Sequence, residues 1–202
     1  MPKPEAPRKI IKQEMLWPTP YWHTQVWEFM RSKTRVTFNE DFTNYILNEA
    51  ENKESVIKSN RGGWQSDLVD PTDENYKPLV REIVEFVKYL NLNIKDMRII
   101  QLWTNVNRKN DFNIIHQHGH YTLAGTYYVK VPKNSGRIVF RDPRPGAIGN
   151  IFLNDKFDKG EFMSMNIMEG SLAIWPSYLD HFVEPSNSDE ERISISFDIV
   201  CT

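Results

Sequence analysis

The sequence predicts a mainly β protein, a jelly roll with two or so N-terminal helices packed on one of its sheets. Three observations carry that expectation. From residue 97 onward, short β-rich runs follow one another with turn signals between them. Before that point, two segments repeat apolar residues at helical spacing. No apolar run approaches the ~18 residues that would span a bilayer, so the 40% hydrophobic content belongs to a buried core.

Taken in order, residues 1–15 are rich in Pro and Lys and read as an N-terminal arm without the apolar stretch of a secretory signal. In Trp17-Pro18-Thr19-Pro20-Tyr21-Trp22, two prolines force an extended path and the aromatics dock on the core. The helical part covers 37–92. Asn39 is placed to cap a helix running to about Glu51, with Phe42, Tyr45, Ile46 and Ala50 on one stripe. A stronger helix runs from about Glu74 to Leu90, where Tyr76, Leu79, Val80, Ile83, Phe86, Val87 and Leu90 form the face that covers a sheet. Between the two, Ser59-Asn60-Arg61-Gly62-Gly63-Trp64-Gln65-Ser66 is a turn-rich loop holding a large aromatic.

The β core is expected over 97–202. Its strands are Met97–Val106, Tyr121–Val131, Arg137–Arg141, Phe162–Ile167, Ser171–Trp175 and Arg192–Val200. Lys133-Asn134-Ser135-Gly136, Pro143-Arg144-Pro145-Gly146 and Glu169-Gly170 punctuate them. Gly146–Gly160 is long for a strand connection and reads as a lid. Trp64 and Trp175 read as core aromatics, and Asp142 as a turn former.

Composition narrows the function. A net charge of -2 offers no basic face, so duplex nucleic acid is not an expected partner, and no membrane partner is expected either. The single Cys201 excludes an internal disulfide and a thiolate metal site, and it suits a reducing, cytoplasmic compartment. The aromatic N-terminus could cover a second copy as readily as its own barrel, which leaves a homodimer open.

The histidines are the informative residues. Of five, three fall at His116, His118 and His120, and a fourth, His181, follows a strand-like segment far downstream. In a strand, residues i and i+2 share a face, so His116-Gln117-His118 presents two imidazoles together. That is a half-site for Fe(II), Zn(II) or Ni(II), with His181 the obvious third donor. His120 has the same parity and could pair with His118 instead. In the last strand Arg192, Ser194, Ser196 and Asp198 alternate with Ile193, Ile195, Phe197 and Ile199. The apolar set needs a core. The polar set needs solvent or a polar cavity, where Arg192 with Ser194 can clamp a carboxylate.

The chain resembles the small 2-oxoglutarate/Fe(II) oxygenases common in marine phages and marine bacteria, within the 2-oxoglutarate-dependent dioxygenase superfamily. The resemblance runs from Leu16-Trp17-Pro18-Thr19-Pro20 through the Ser59–Ser66 loop and Trp103-Thr104-Asn105-Val106-Asn107. It continues with His116-Gln117-His118 and Ala124-Gly125-Thr126-Tyr127-Tyr128-Val129, and closes on Trp175-Pro176-Ser177, His181 and Arg192-Ile193-Ser194-Ile195-Ser196-Phe197. It implies a double-stranded β-helix holding Fe(II) at His116, His118 and His181, in a host's cytoplasm if phage-encoded. It further implies 2-oxoglutarate on Arg192, Ser194 and Tyr128, and dioxygen as co-reactant. Hydroxylation of a protein side chain or small molecule, with succinate and CO2 released, would follow. Trp103, Asn105 and His120 would line the substrate pocket.

One departure stands out. The superfamily pattern is His-x-Asp/Glu, and His118 occupies the carboxylate position, leaving the iron one unit more positive. A cupin-like metal-binding protein or a non-catalytic structural or binding jelly roll is the alternative. Against the cupin, Tyr121 and Thr122 stand where a Glu is usual shortly after the histidine pair.

Overall fold

The computed structural model describes residues 10–16, 19–25, 35–90, 92–143, 162–165 and 167–202, which form two antiparallel sheets and two helices. In spatial order the larger sheet comprises β1 (Ile10–Leu16), β2 (Thr19–Gln25), β10 (Ser171–Pro176), β7 (Leu123–Lys130), β12 (Arg192–Cys201), β5 (Met97–Asn107) and β4 (Trp64–Gln65). The smaller comprises β3 (Asn60–Arg61), β6 (Phe112–His116), β11 (His181–Val183), β8 (Ile138–Arg141) and β9 (Phe162–Ser164). Helices α1 (Arg35–Asn52) and α2 (Lys77–Tyr89) complete the fold, which is the expected mainly β jelly roll.

The period-2 pattern of β12 organises both layers. Ile193, Ile195, Phe197 and Ile199 are fully buried under the helices. There they join Phe42 and Ile46 of α1 and Leu79, Ile83, Phe86 and Val87 of α2 in one cluster. Each such side chain contributes about 1.5–3 kcal/mol by leaving water. Pro78 in the first turn of α2 costs no hydrogen bond, because helix N-termini have no partners for those N–H groups. A second apolar cluster lies between the sheets. It joins Ala124 and Tyr128 of β7 and Ala173 and Trp175 of β10 to Ile138 and Phe140 of β8.

Several expectations are corrected. Residues 10–16 are a strand paired with β2, and β2 pairs with β10, so the arm expected through residue 15 is partly sheet. An Asn cap at 39 is also wrong, because α1 already begins at Arg35. Asn39 instead accepts the Tyr127 hydroxyl at 2.6 Å, as a buried tyrosine needs an acceptor more than an exposed helix end needs a cap. The 146–160 segment read as a lid lies outside the described residues.

The Asn60–Gln65 motif is a corner between the sheets. Asn60 and Arg61 pair with β6, while Trp64 and Gln65 pair with β5. Gly62, at φ +85°, turns the chain between them in a conformation that L side chains rarely adopt. Asn60 fixes the corner by donating to the Gly63 carbonyl at 2.9 Å and accepting the Lys58 amide at 2.8 Å.

A second glycine permits the close approach of β7 and β12. A Cβ on Gly125 would sit 2.3 Å from the Phe197 ring and 2.7 Å from the Ala173 carbonyl oxygen. Gly125→Ala should therefore destabilise the fold by about 1–3 kcal/mol. Urea unfolding should show a lower midpoint at unchanged slope; an unchanged midpoint would mean that the strands have room to separate.

Candidate metal centre

Register places the first two histidines. His116 ends β6, His181 begins β11, and the two are direct partners in the small sheet, with ring centroids 4.4 Å apart. The third arrives differently from the strand-parity expectation: β6 stops at His116, and His118 lies in the turn beyond it. There its amide donates to the Ser177 carbonyl at 2.8 Å, and its own carbonyl accepts the Tyr121 amide at 3.1 Å. The His118 ring lies 5.2 Å from that of His116 and 5.1 Å from that of His181. One ring nitrogen from each of the three histidines lies within 4.8 Å of the others. His120 lies outside that cluster; it is exposed and lines the adjoining cavity.

The hydrogen bonds behind the rings fix their tautomers. His116 Nδ1 faces the Ile114 carbonyl oxygen at 2.8 Å, and His181 Nδ1 faces that of Leu179 at 2.9 Å. A carbonyl oxygen only accepts, so both Nδ1 atoms carry a proton. His118 Nδ1 meets the Asp198 carboxylate at 2.6 Å, which imposes the same state. In its neutral form each of the three rings then keeps its lone pair on Nε2. His118 Nε2 is buried with no hydrogen-bond partner among the described residues, a costly state that a bound cation would relieve. Neutral imidazoles with occupied Nδ1 atoms and no thiolate are a donor set for Fe(II), Ni(II) or Zn(II).

Beside the triad lies a cavity of about 710 Å³. Its inner wall is the polar face of β12, with Arg192, Ser194, Ser196 and Asp198 all lining it. Arg192 is 2% exposed and has no carboxylate partner among the described residues. Its guanidinium stands 5.1 Å from the centroid of the Tyr128 ring, and among the described residues its Nε has no acceptor. Burial lowers the affinity of Arg192 for its proton and pushes the Tyr128 hydroxyl up to about 12, with the guanidinium pulling it part-way back. Among the described residues the buried Tyr128 hydroxyl has no hydrogen-bond partner. A fixed cation and an orphaned neutral hydroxyl facing one cavity are set for an anion.

Trp103 stacks on His118 at 5.8 Å and 22°, and Asn105 donates to Ser196 Oγ at 3.2 Å; both line the cavity. Trp175 is a core aromatic as expected, yet it also packs edge-on against His181 at 5.1 Å. The residue missed by sequence reasoning is Asp198. Its parity with Arg192 put it on the polar face, but nothing local linked it to a histidine 80 positions away.

Residues 101–198 match the family described as "Putative 2OG-Fe(II) oxygenase". Over those residues, just under half of the chain, the protein is similar to the 2-oxoglutarate/Fe(II) oxygenases. Among curated proteins none matches the chain in sequence. Solved structures of similar fold include a prolyl-4-hydroxylase from Pseudomonas putida, 14% identical with a TM-score of 0.58 over 88% of this chain and 91% of that one. HygX from Streptomyces hygroscopicus, with nickel and 2-oxoglutarate bound, is 9% identical with a TM-score of 0.63 over 91% and 84%. The epimerase SnoN, in complex with Fe3+, alpha-ketoglutarate and nogalamycin RO, is 14% identical with a TM-score of 0.65 over 89% and 78%. No described helix is long and apolar enough to cross a membrane.

The three-histidine cluster has a pH signature in the metal-free protein. Burial first, then the neighbouring His116 and His118, holds His181 well below its ordinary 6.5. Burial likewise lowers His116. Unfolded imidazoles bind protons that the folded ones refuse, so stability is complete above about pH 6.5 and declines as pH falls below it. Urea unfolding of the apo protein at about pH 7.5 and about pH 5.5 should show a lower midpoint in acid. His181→Gln should flatten that dependence.

Proposed function

We propose that this protein is an oxygenase that uses Fe(II), 2-oxoglutarate and dioxygen to hydroxylate a protein side chain or small molecule in the cavity beside His116, His118 and His181. The observation that carries the reading is Arg192: a buried guanidinium without a carboxylate, opening on the cavity that the three-histidine cluster also lines. A cupin-like or non-catalytic metal-binding protein has no use for that cation.

In this reading the three imidazoles hold the metal through Nε2, with Nδ1 anchored from behind by Ile114, Leu179 and Asp198. Bound there, Fe(II) supplies activation of dioxygen coupled to oxidative decarboxylation of 2-oxoglutarate, giving succinate and CO2. Arg192 takes the distal carboxylate of 2-oxoglutarate as a charge-assisted pair. Tyr128 remains protonated at neutral pH and donates its hydroxyl to the same carboxylate, and Ser194, the register partner of Tyr128, supplies a further donor. Trp103 forms an apolar wall against His118, while Asn105, Thr126 and Ser196 offer hydrogen bonds to substrate. Ser196 is already tied to Asn105 at 3.2 Å and to Thr126 at 3.1 Å, so this polar wall is held in place before substrate enters.

Anaerobic titration of the Fe(II)-loaded protein with 2-oxoglutarate tests this assignment. Binding should perturb the visible absorption, and oxygen should release succinate in proportion to the 2-oxoglutarate consumed. Removing one partner of a buried, hydrogen-bonded charge pair costs about 2–5 kcal/mol, so Arg192→Ala should weaken 2-oxoglutarate binding about 30-fold or more. Equal affinity in wild type and Arg192→Ala would remove the cosubstrate assignment. Absence of 2-oxoglutarate binding in wild type would remove the oxygenase reading altogether.

A further inference from the structure

The geometry points to Asp198 as a positioning residue for the metal: placed behind His118, it returns the negative charge that the histidine removed from the ligand set. This rests on the proposed metal site and deepens it. With His118 in the carboxylate position, three neutral imidazoles leave a divalent cation with its full charge of two units. Two imidazoles and a carboxylate would leave one unit. Asp198 is 1% exposed, and its carboxylate oxygen lies 2.6 Å from His118 Nδ1. Counting it restores the site to a net charge of one unit, with the anion moved from the metal to the far side of the imidazole.

Three features make this a built arrangement. First, among the described residues no Lys or Arg forms a salt bridge with Asp198, whose ionic partner is His118. A carboxylate buried to that degree is costly unless something compensates its charge, and a cation bound to the same imidazole would do so. Second, the lone pairs are aligned in one direction. Asp198 accepts a hydrogen bond from Nδ1–H, which leaves Nε2 bare, and among the described residues that buried atom has no partner. Third, the ring cannot easily turn away. Trp103 stacks on His118 at 5.8 Å, and the His118 amide is tied to the Ser177 carbonyl at 2.8 Å.

The other two ligands differ in kind. His116 and His181 are backed by neutral backbone carbonyls, two residues before each in sequence. A carbonyl fixes the tautomer but brings no charge. Asp198 fixes the tautomer and makes the imidazole a stronger donor, because the proton on Nδ1 is drawn toward an anion. His118 is therefore the most electron-rich of the three ligands.

Metal binding by the purified full-length apo protein, measured with Co(II) in the absence of 2-oxoglutarate and substrate, separates charge from shape. Asp198→Asn keeps the side chain's size and an acceptor oxygen but removes the charge. It should weaken Co(II) binding about 10- to 100-fold. Asp198→Ala, which also releases the ring, should weaken it at least as much. Because a buried substitution can disturb folding, the wild-type apo protein provides an independent readout. Its ring-nitrogen NMR spectrum should show His118 protonated on Nδ1, with that proton shifted far downfield by the carboxylate. Wild-type Co(II) affinity retained in a folded Asp198→Asn protein would overturn the inference while leaving the metal site intact. A His118 ring protonated on Nε2 would overturn it too. Failure of wild type to bind Co(II), Fe(II) or Ni(II) would remove the metal site itself and this inference with it.

Discussion

The alternation along β12 is the constraint on which the rest depends. This strand lies within the larger sheet between β7 and β5, so both of its edges are paired, and most of its side chains on either face are buried. One face carries Ile193, Ile195, Phe197 and Ile199 and is sealed by the helices. The other carries Arg192, Ser194, Ser196 and Asp198, which are costly to bury and so require a cavity with partners in it. A slip of one residue would drive the guanidinium and carboxylate into the helix-covered core. Fold and site are thus specified by the same ten residues.

The cavity pairs two buried charges of opposite sign that do not neutralise each other. Asp198 is committed to His118, and Arg192 stands over the Tyr128 ring. In the proposed reading each is matched to a different bound species: a cation on the histidine side and a carboxylate on the Arg192 side. That separation suits the proposed reaction, in which a metal and an anionic cosubstrate would bind side by side. The stability lost in desolvating these groups is offset by the apolar clusters on either side of the sheet.

Much of this was legible in the chain. The period-3.6 stripe of 76–90 and the period-2 stripe of 192–199 both match burial, because each pattern has one geometry that can bury it. The expected extents of α2, β5, β10 and β12 agree with the structure to within a few residues. The errors fell where a distant partner decided the matter. Asn39 has the chemistry of a cap, yet a tyrosine on β7 claims it. The prolines at 18 and 20 suggested a docked, extended segment, and whether that segment pairs depends on the free edge of β10. His118 was placed beside His116 by strand parity; the proximity holds, but the strand ends first and a turn delivers the ring.

By itself the sequence determined the fold class, the polar and apolar faces of the last strand, and the small set of residues able to hold a metal without thiolates. These are local properties, written as spacing and residue type. Only the tertiary structure decided which histidines meet, because the opposition of His116 and His181 is a matter of strand register between segments far apart in the chain. Only it showed that a buried carboxylate, Asp198, stands behind His118, 80 positions away in the chain. Coulomb interaction depends on distance in space and not on separation along the chain, so a ligand set read from a linear motif can omit the charge that governs it.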